Sequence, residues 1–199
     1  MTSKERMLIA LNLGKPDRLP VTIHQWQEYH LKKYMNGMSE LEAFIKCGLD
    51  AAVTFYPAYT MPESNDWRVE SSSHVTDEGI TVTDYVIHTP EGDLKYQVCS
   101  NAFTSWYSEH MIKRDEDIYL YKKYCPPWKI RARELEEIYD QVGDHGILRC
   151  GIPQYQGGCY QAAQVMYGTE NLIYACYDKP DFVHEFLQII LEKKLEYIY

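Results

Sequence analysis

The stretch Ala51-Ala52-Val53-Thr54-Phe55 decides the fold class, because it is apolar on both faces, as a strand buried on two sides should be. Toward the N-terminus, the residue pattern predicts helices over residues 39–47 and 29–35 and a short strand at residues 21–23. A strand, two helices and a second strand indicate a parallel crossover, which is right-handed by default. The sequence therefore predicts an α/β fold built on parallel strands.

Two of the predicted helices begin with a capping box, in which a hydroxyl and a carboxylate three residues later satisfy each other's backbone N–H groups. The first pairs Thr2 with Glu5, and the second pairs Ser39 with Glu42. Both predict where a helix begins.

The segment after residue 57 follows a different pattern. Residues 80–88 alternate between two faces, residues 89–93 form a turn, and residues 94–98 make a returning strand. The pattern predicts an antiparallel hairpin, inserted at about residues 66–100. Beyond it we expect a third parallel strand at residues 147–151 and then only helices, which would leave an open sheet edge, so we expect the chain to stop before the fold is complete.

Composition narrows the classes of function. The chain has 199 residues and a formal charge of −9, which argues against a broad nucleic-acid surface, because phosphate binding needs clustered Lys and Arg. No apolar run approaches the length that spans a bilayer, and the N-terminus lacks the apolar segment of a signal peptide. Six cysteines without a CxxC pair are then expected to be reduced thiols, and we predict a cytoplasmic protein.

Five short motifs occur in a fixed order along the chain. They are Ser3-Lys4-Glu5-Arg6 followed by Lys15-Pro16-Asp17-Arg18-Leu19-Pro20-Val21, then Gly48-Leu49-Asp50-Ala51-Ala52-Val53, Thr89-Pro90-Glu91-Gly92-Asp93-Leu94, Gly143-Asp144 within 138–153, and Gly168-Thr169-Glu170-Asn171-Leu172 followed by Lys179-Pro180. In this order they resemble the N-terminal portion of the uroporphyrinogen decarboxylase superfamily. The resemblance implies that residues 1–199 are a partial domain, the first part of a TIM (β/α)8 barrel with the hairpin inserted, and that the active site lies where the strands end.

The same resemblance implies two chemistries. Decarboxylases of this superfamily place two arginines after the first strand and an aspartate after the second, but the aligned positions hold Gln25, Tyr29 and Pro57. A neutral amide and a phenol do not replace guanidinium groups that pair carboxylates, so decarboxylation of uroporphyrinogen itself is not expected. The resemblance then favours the second branch, a corrinoid-linked methyltransferase that moves a methyl group to or from a cobamide.

The candidate site residues are chosen because they follow predicted strands. His24 and Gln25 leave the first strand and are predicted to be catalytic, although a histidine that only anchors a loop is an equal alternative. The remaining residues would make a pocket of phenols and amides, suited to a neutral or aromatic substrate, although each one taken alone is more often structural. The predicted substrate-binding residues are Gln27, Tyr56, Tyr59, Gln154 and Tyr155.

The functional prediction keeps three alternatives. For the complete protein, the resemblance implies an enzyme that acts on a small molecule, either the methyltransferase, with zinc and a cobamide carried on a corrinoid protein, or a cofactor-free decarboxylase of a porphyrinogen or another carboxylate. The superfamily's zinc ligands lie in its second half, so no metal ligand is assigned in residues 1–199. The third alternative is an inactive or binding-only product, and formation of a homo-oligomer stays open.

Overall fold

The computed structural model describes residues 1–56, 59–60, 64–130, 132–151 and 158–198. The chain divides into two compact units. The first unit comprises residues 1–58 and 130–151, and the second comprises residues 59–129 and 152–199. In chain order the elements are α1 (Ser3–Leu11), α2 (Glu28–Tyr34), α3 (Glu40–Lys46), β1 (Ala51–Phe55), β2 (Tyr59–Thr60), β3 (Arg68–Val75), β4 (Thr81–Thr89), β5 (Gly92–Ser100), β6 (Ser105–Glu109), α4 (Asp117–Tyr124), β7 (Lys129–Ile130), α5 (Ala132–Val142), β8 (Gly146–Cys150), α6 (Cys159–Tyr167), α7 (Thr169–Asp178) and α8 (Pro180–Ile198).

The first unit is built on two parallel strands, β1 and β8, which pair from Ala51 opposite Gly146 to Phe55 opposite Cys150. One face of this pair packs on α3 and α5 through a small core of Phe44, Val53 and Val142. The residues that the sequence predicted to form a buried strand are therefore a strand, with their first three positions buried.

Both predicted capping boxes are confirmed. The Thr2 hydroxyl accepts from the Glu5 N–H at the start of α1, and the Ser39 hydroxyl accepts from the Glu42 N–H at the start of α3. In each case the glutamate side chain bonds back to the N-cap N–H, so that two otherwise unpaired donors are satisfied at each helix end.

The buried carboxylate of Asp50 fixes the start of β1. Asp50 is fully buried and accepts from Arg6 Nη1 at 2.6 Å, from Arg18 Nη1 at 2.9 Å and from the Val21 N–H at 2.9 Å. Because an unpaired buried charge is costly, this network ties α1 and the segment around Val21 to one point of the strand.

The second unit is built on an antiparallel sheet in the order β3-β4-β5-β6. Tyr85 on β4 lies opposite Tyr96 on β5, and their rings stack with centroids 4.6 Å apart. The apolar end of the sheet, at Ile87 and Leu94, shares a core with helices α4, α6, α7 and α8. Phe186 of α8 is fully buried in that core.

The prediction of a TIM-barrel portion is wrong. The described residues form a two-stranded parallel sheet, a short two-stranded pair of β2 and β7, and a four-stranded antiparallel sheet, with no closed barrel. Residues 21–23 are exposed and form no strand, because within the described part of the chain their backbone N–H and C=O groups bond to no strand beyond the pairing of Val21 with Asp50. The predicted hairpin is present as β4 and β5, but it is the middle of a four-stranded sheet, and the C-terminal helices share one buried core with Ile87 and Leu94 of that sheet.

Candidate functional site

The carboxyl ends of β1 and β8 lie side by side, since the two strands are parallel and in register. Side chains alternate along a strand, so Thr54 and Arg149, which are partners in this register, point to the same face. The Gly151 N–H donates to the Phe55 carbonyl at 2.9 Å, which continues the pairing one step beyond the strands and places Tyr56 and Gly151 on that face too. We call these four residues, together with His24, the strand-end site.

Arg149 is the most strongly bonded residue of the strand-end site. Its Nε donates to the Ala52 carbonyl at 3.2 Å, and its Nη2 donates to the Thr54 hydroxyl at 2.6 Å. Nη2 also donates to the His24 carbonyl. These acceptors are all neutral, and within the described ranges no carboxylate pairs with the guanidinium. The guanidinium is thus held in one orientation with four of its five N–H groups bonded, and one Nη1–H remains for a further acceptor. The carboxylate of Glu40 lies next to the site, because its Oε2 accepts from the Thr54 N–H at 3.1 Å.

The imidazole of His24 lies beside that guanidinium. Arg149 Nη1 and His24 Nδ1 are 3.3 Å apart. Because a guanidinium can only donate, Nδ1 must accept, so the ring hydrogen is on Nε2. His24 is exposed, so its Nε2–H is available to a bound molecule as a second donor.

Tyr56 supplies an aromatic surface at the end of β1. Its ring lies against Gly151, so closely that a Cβ added to the glycine would be 2.2 Å from Tyr56 Cδ1 and 2.3 Å from Cε1. Tyr56 is nevertheless 52% exposed. The strand-end site therefore combines a fixed cation, an imidazole N–H and the ring of a tyrosine.

No model of a known family, no curated protein and no solved structure matches this chain. The resemblance to the uroporphyrinogen decarboxylase superfamily accordingly stays a prediction, and the function has to follow from the chemistry of the strand-end site.

The structure brings together only part of the predicted site. His24 and Tyr56 belong to it. Gln25 is exposed next to His24, whereas Gln27 is the exposed N-cap of α2 and makes no side-chain cap. Tyr59 lies in β2 of the second unit, and its side chain is outside the described residues. Gln154 and Tyr155 also lie outside the described residues.

The residue that sequence reasoning missed is Arg149. The signal was present, because a charged side chain interrupts the otherwise apolar strand Ile147-Leu148-Arg149-Cys150. A charged side chain within an otherwise apolar strand is uncommon unless it is paired or functional, so this arginine could have been predicted as a site residue.

A cavity of about 480 Å³ lies on the opposite face of β8 from Arg149. Leu148 and Cys150 line it together with α5, which contributes the carboxylates Glu136 and Asp140. Burial raises the pKa of the Cys150 thiol, so that thiol is a weak nucleophile. Two carboxylates thus line this face of the parallel pair, whereas the guanidinium of Arg149 lies on the other face, so among the described residues the Arg149 face is the better suited of the two to an anion.

The sequence analysis predicted no metal ligand in residues 1–199. Over the described ranges, no three His, Cys, Asp or Glu side chains come close enough together to hold a metal ion. The described residues therefore do not offer a zinc site, and zinc and a cobamide stay predictions that rest on the resemblance. Among the same residues, no helix has both the length and the apolar character needed to cross a membrane.

Proposed function

We propose that this chain is the substrate-binding part of an enzyme that acts on a small carboxylate-bearing molecule at the strand-end site. The observation that carries the proposal is the guanidinium of Arg149, which neutral acceptors hold at the carboxyl ends of two parallel strands. In sheets with parallel strands, ligands bind at that end. A fixed guanidinium recognises carboxylates through charge-assisted hydrogen bonds.

His24 gives the site a second hydrogen-bond donor. Its Nδ1 accepts from Arg149, so Nε2 carries the ring hydrogen, and the residue is exposed. The Nε2–H can donate a hydrogen bond to an oxygen of a bound carboxylate. His24 and Arg149 are therefore the proposed substrate-binding residues, and a catalytic role of His24 stays a prediction.

This arrangement supports one of the two predicted chemistries better than the other. A cation and an N–H donor are what a carboxylate substrate requires, so an enzyme whose substrate carries a carboxylate is the class we propose, and decarboxylation stays a prediction. One guanidinium does not match the many carboxylates of a porphyrinogen, so the substrate is expected to be a smaller acid. Methyl transfer with a corrinoid partner stays a prediction.

The test is a calorimetric titration of the full chain with 3-phenylpropionate at low ionic strength. We expect Arg149→Gln to weaken binding by about tenfold or more, because a hydrogen bond to a charged group contributes about 1.5–3 kcal/mol. Arg149→Lys should keep part of the affinity, since the charge remains but the hydrogen bonds that hold the guanidinium in place are lost. The ring signals of His24 should shift in the NMR spectrum when the acid binds.

Arg133→Gln is the matched control, because Arg133 lies in the same unit on α5 and its side chain is 90% exposed. This variant should bind as the wild type does. If a folded Arg149→Gln protein binds 3-phenylpropionate as tightly as the wild type, or if 3-phenylpropionamide binds as well as the acid, Arg149 does not hold a carboxylate and the proposal is wrong.

A further inference from the structure

Strand β3 is an edge of the antiparallel sheet. It pairs with β4 along its whole length, from Arg68 opposite His88 to Val75 opposite Thr81, and among the described residues no strand pairs with its other side. All eight residues of β3 are exposed. An open edge of this kind offers a row of backbone N–H and C=O groups to another strand.

The two edge strands of this sheet differ in how well they suit such pairing. Strand β6 has five residues, and a register shift between Gln97 and Val98 of β5 interrupts its pairing. Short edge strands and bulges prevent pairing with other molecules. Strand β3 has eight residues in continuous register and contains neither proline nor lysine. The open edge of β3 is therefore the one suited to a further strand.

Alternate residues of β3 turn their backbone groups to the open side. The Thr76 N–H donates to the Ile80 carbonyl at 2.9 Å across the turn that follows β3, so position 76 faces β4. Because this direction alternates along a strand, positions 68, 70, 72 and 74 face β4 as well. The residues that present N–H and C=O groups to the open side are Val69, Ser71, Ser73 and Val75.

The sequence of this edge is complementary to itself. Counted outward from Ser72, the stretch Val-Glu-Ser-Ser-Ser-His-Val over residues 69–75 matches serine with serine, glutamate with histidine and valine with valine. An antiparallel pair of two such strands centred on Ser72 places open-side residues opposite open-side residues and forms about eight backbone hydrogen bonds. A register centred on the next residue in either direction would separate the glutamate from the histidine.

The charges of the edge also match in this register. Glu70 lies opposite His74 of the second copy in a pair without backbone hydrogen bonds, where the two Cα atoms are only about 4.5 Å apart. The Glu70 side chain is 59% exposed although its carboxylate lies 3.4 Å from Arg68 Nη2 and 3.3 Å from His88 Nε2. It is therefore accessible to an imidazolium across the edge, and two-fold symmetry forms this pair twice.

We infer that β3 is the interface of a homodimer, in which two copies of this chain pair through their β3 strands about a two-fold axis at Ser72 and join their antiparallel sheets into one. Seven paired residues span only about 24 Å, so the interface is smaller than the roughly 1,200 Å² of a stable one, and the expected dissociation constant is micromolar. This inference is independent of the proposed function of the strand-end site.

The test is sedimentation velocity of the full chain at pH 6, from about 10 µM to about 500 µM, a range that covers a weak dimer. We expect a concentration-dependent shift from one copy to two. Over the same range, hydrogen exchange should slow at the open-side amides of Val69, Ser71, Ser73 and Val75, because only these gain a partner. The alternate amides of β3, which already face β4, should change little.

Two variants test the register. His74→Glu places two carboxylates opposite each other and should weaken the dimer by about tenfold or more, because two attractive cross-strand pairs become repulsive. Glu70→Lys/His74→Glu reverses each pair and should restore association. Lys95→Glu is the control, because Lys95 is exposed on the same face of the sheet but lies on β5, away from the open edge. It should dimerise as the wild type does, and circular dichroism checks that each variant is folded.

Each contrary result identifies what is wrong. A chain that sediments as one copy at the highest concentration has no such dimer. A dimer that forms without slower exchange at the open-side amides uses another surface, and the inference is then wrong. If Lys95→Glu weakens association as much as His74→Glu, or if the folded double variant stays as weak as His74→Glu, the pairing of Glu70 with His74 is wrong.

Discussion

Asp50 shows how one side chain organises the first unit. Burial alone would raise the pKa of this carboxyl, but the hydrogen bond from the Val21 N–H and the pairing with Arg6 and Arg18 outweigh burial and lower it. The neighbouring Asp17 pairs with Arg6 Nε at 2.7 Å, and this hydrogen bond lowers its pKa to about 2. Two carboxylates therefore share one buried guanidinium.

Asp50→Asn should lower the free energy of unfolding by about 3–5 kcal/mol, because removing one partner of a buried pair leaves the other charge buried and poorly compensated. Urea unfolding of the wild type and the variant at pH 7 measures the difference. Asp17→Asn is the control, and its effect should be clearly smaller, since the Asp17 side chain is 43% exposed. An equal loss of unfolding free energy in both variants would contradict the conclusion that the buried carboxylate of Asp50 stabilises the first unit more than that of Asp17.

Acid should destabilise the chain between about pH 4 and pH 2. The pKa of Asp17 falls from 3.8 to about 2 in the folded chain, and that of Asp50 is lowered as well, so the unfolded chain binds more protons than the folded chain in this range. The stabilisation is complete above the unfolded pKa and is lost as the pH falls through the folded pKa. Unfolding curves at half-unit steps from pH 5 to pH 2 measure this loss. The unfolding free energy should fall less steeply with pH in Asp17→Asn than in the wild type. An equal fall in both would refute the contribution of Asp17.

At the scale of elements, the pairing of β1 with β8 depends on Gly146. A Cβ at this position would lie 1.8 Å from the Ala51 carbonyl oxygen and 2.6 Å from its carbon, both of which are backbone atoms. Neither atom can move without separating the strands. The close approach of β8 to the first residue of β1 is therefore possible only with glycine.

Gly146→Ala should lower the free energy of unfolding by about 3 kcal/mol or more. Inserting atoms into a packed region costs about 1–3 kcal/mol, and here the added Cβ would overlap backbone atoms. Hydrogen exchange should show lost protection at the amides of β1 and β8. In Gly158→Ala the added methyl group meets nothing within 4 Å, and we expect that variant to be close to the wild type. If both variants have the same stability, the strands do not approach as closely as described.

Helix α8 shows what can be predicted at this scale. The apolar residues Phe182, Phe186 and Ile190 recur at helical spacing, and the structure has α8 over Pro180–Ile198 with Phe186 and Ile190 fully buried. Periodicity gives the element and the face that is buried. It does not give the partner, and here the partner includes Leu94 of the antiparallel sheet.

At the scale of the whole molecule, the six cysteines differ widely in their surroundings. The described structure holds all six as free thiols. Cys47 is exposed, whereas Cys125 is 3% exposed and burial raises the pKa of its thiol to about 11. Since the thiolate is the reactive form, reactivity should follow exposure and pKa together.

Labelling of the native chain with a thiol-specific disulfide reagent at pH 8 should modify Cys47 first, Cys150 more slowly because burial raises its pKa, and Cys125 only on unfolding. Mass spectrometry of peptides at successive times gives the order. Cys47→Ser removes the fastest phase and serves as the control. Modification of Cys125 as fast as Cys47 would show that the core of the second unit is open in solution.

The sequence predicted His24 and Tyr56 of the strand-end site but not Arg149. His24 and Tyr56 were found because they follow predicted strands, and Tyr56 does lie at a strand end. His24 belongs to the site for another reason, since residues 21–23 form no strand and His24 is bonded to the side chain of Arg149 on β8 through its ring and its carbonyl. A contact between residues 125 positions apart has no trace in local sequence, because it depends on which strands become neighbours.

The sequence by itself determined the capping boxes, the strand at Ala51–Phe55, the turn between β4 and β5 and the buried face of α8, because these depend on side chains only a few residues apart. Only the tertiary structure decided that β1 pairs with β8, that the last helices pack on the antiparallel sheet, and that Arg149 meets His24. Apolar burial has no direction, so an apolar face is satisfied by any complementary surface within reach, and the choice among surfaces is made by the whole chain.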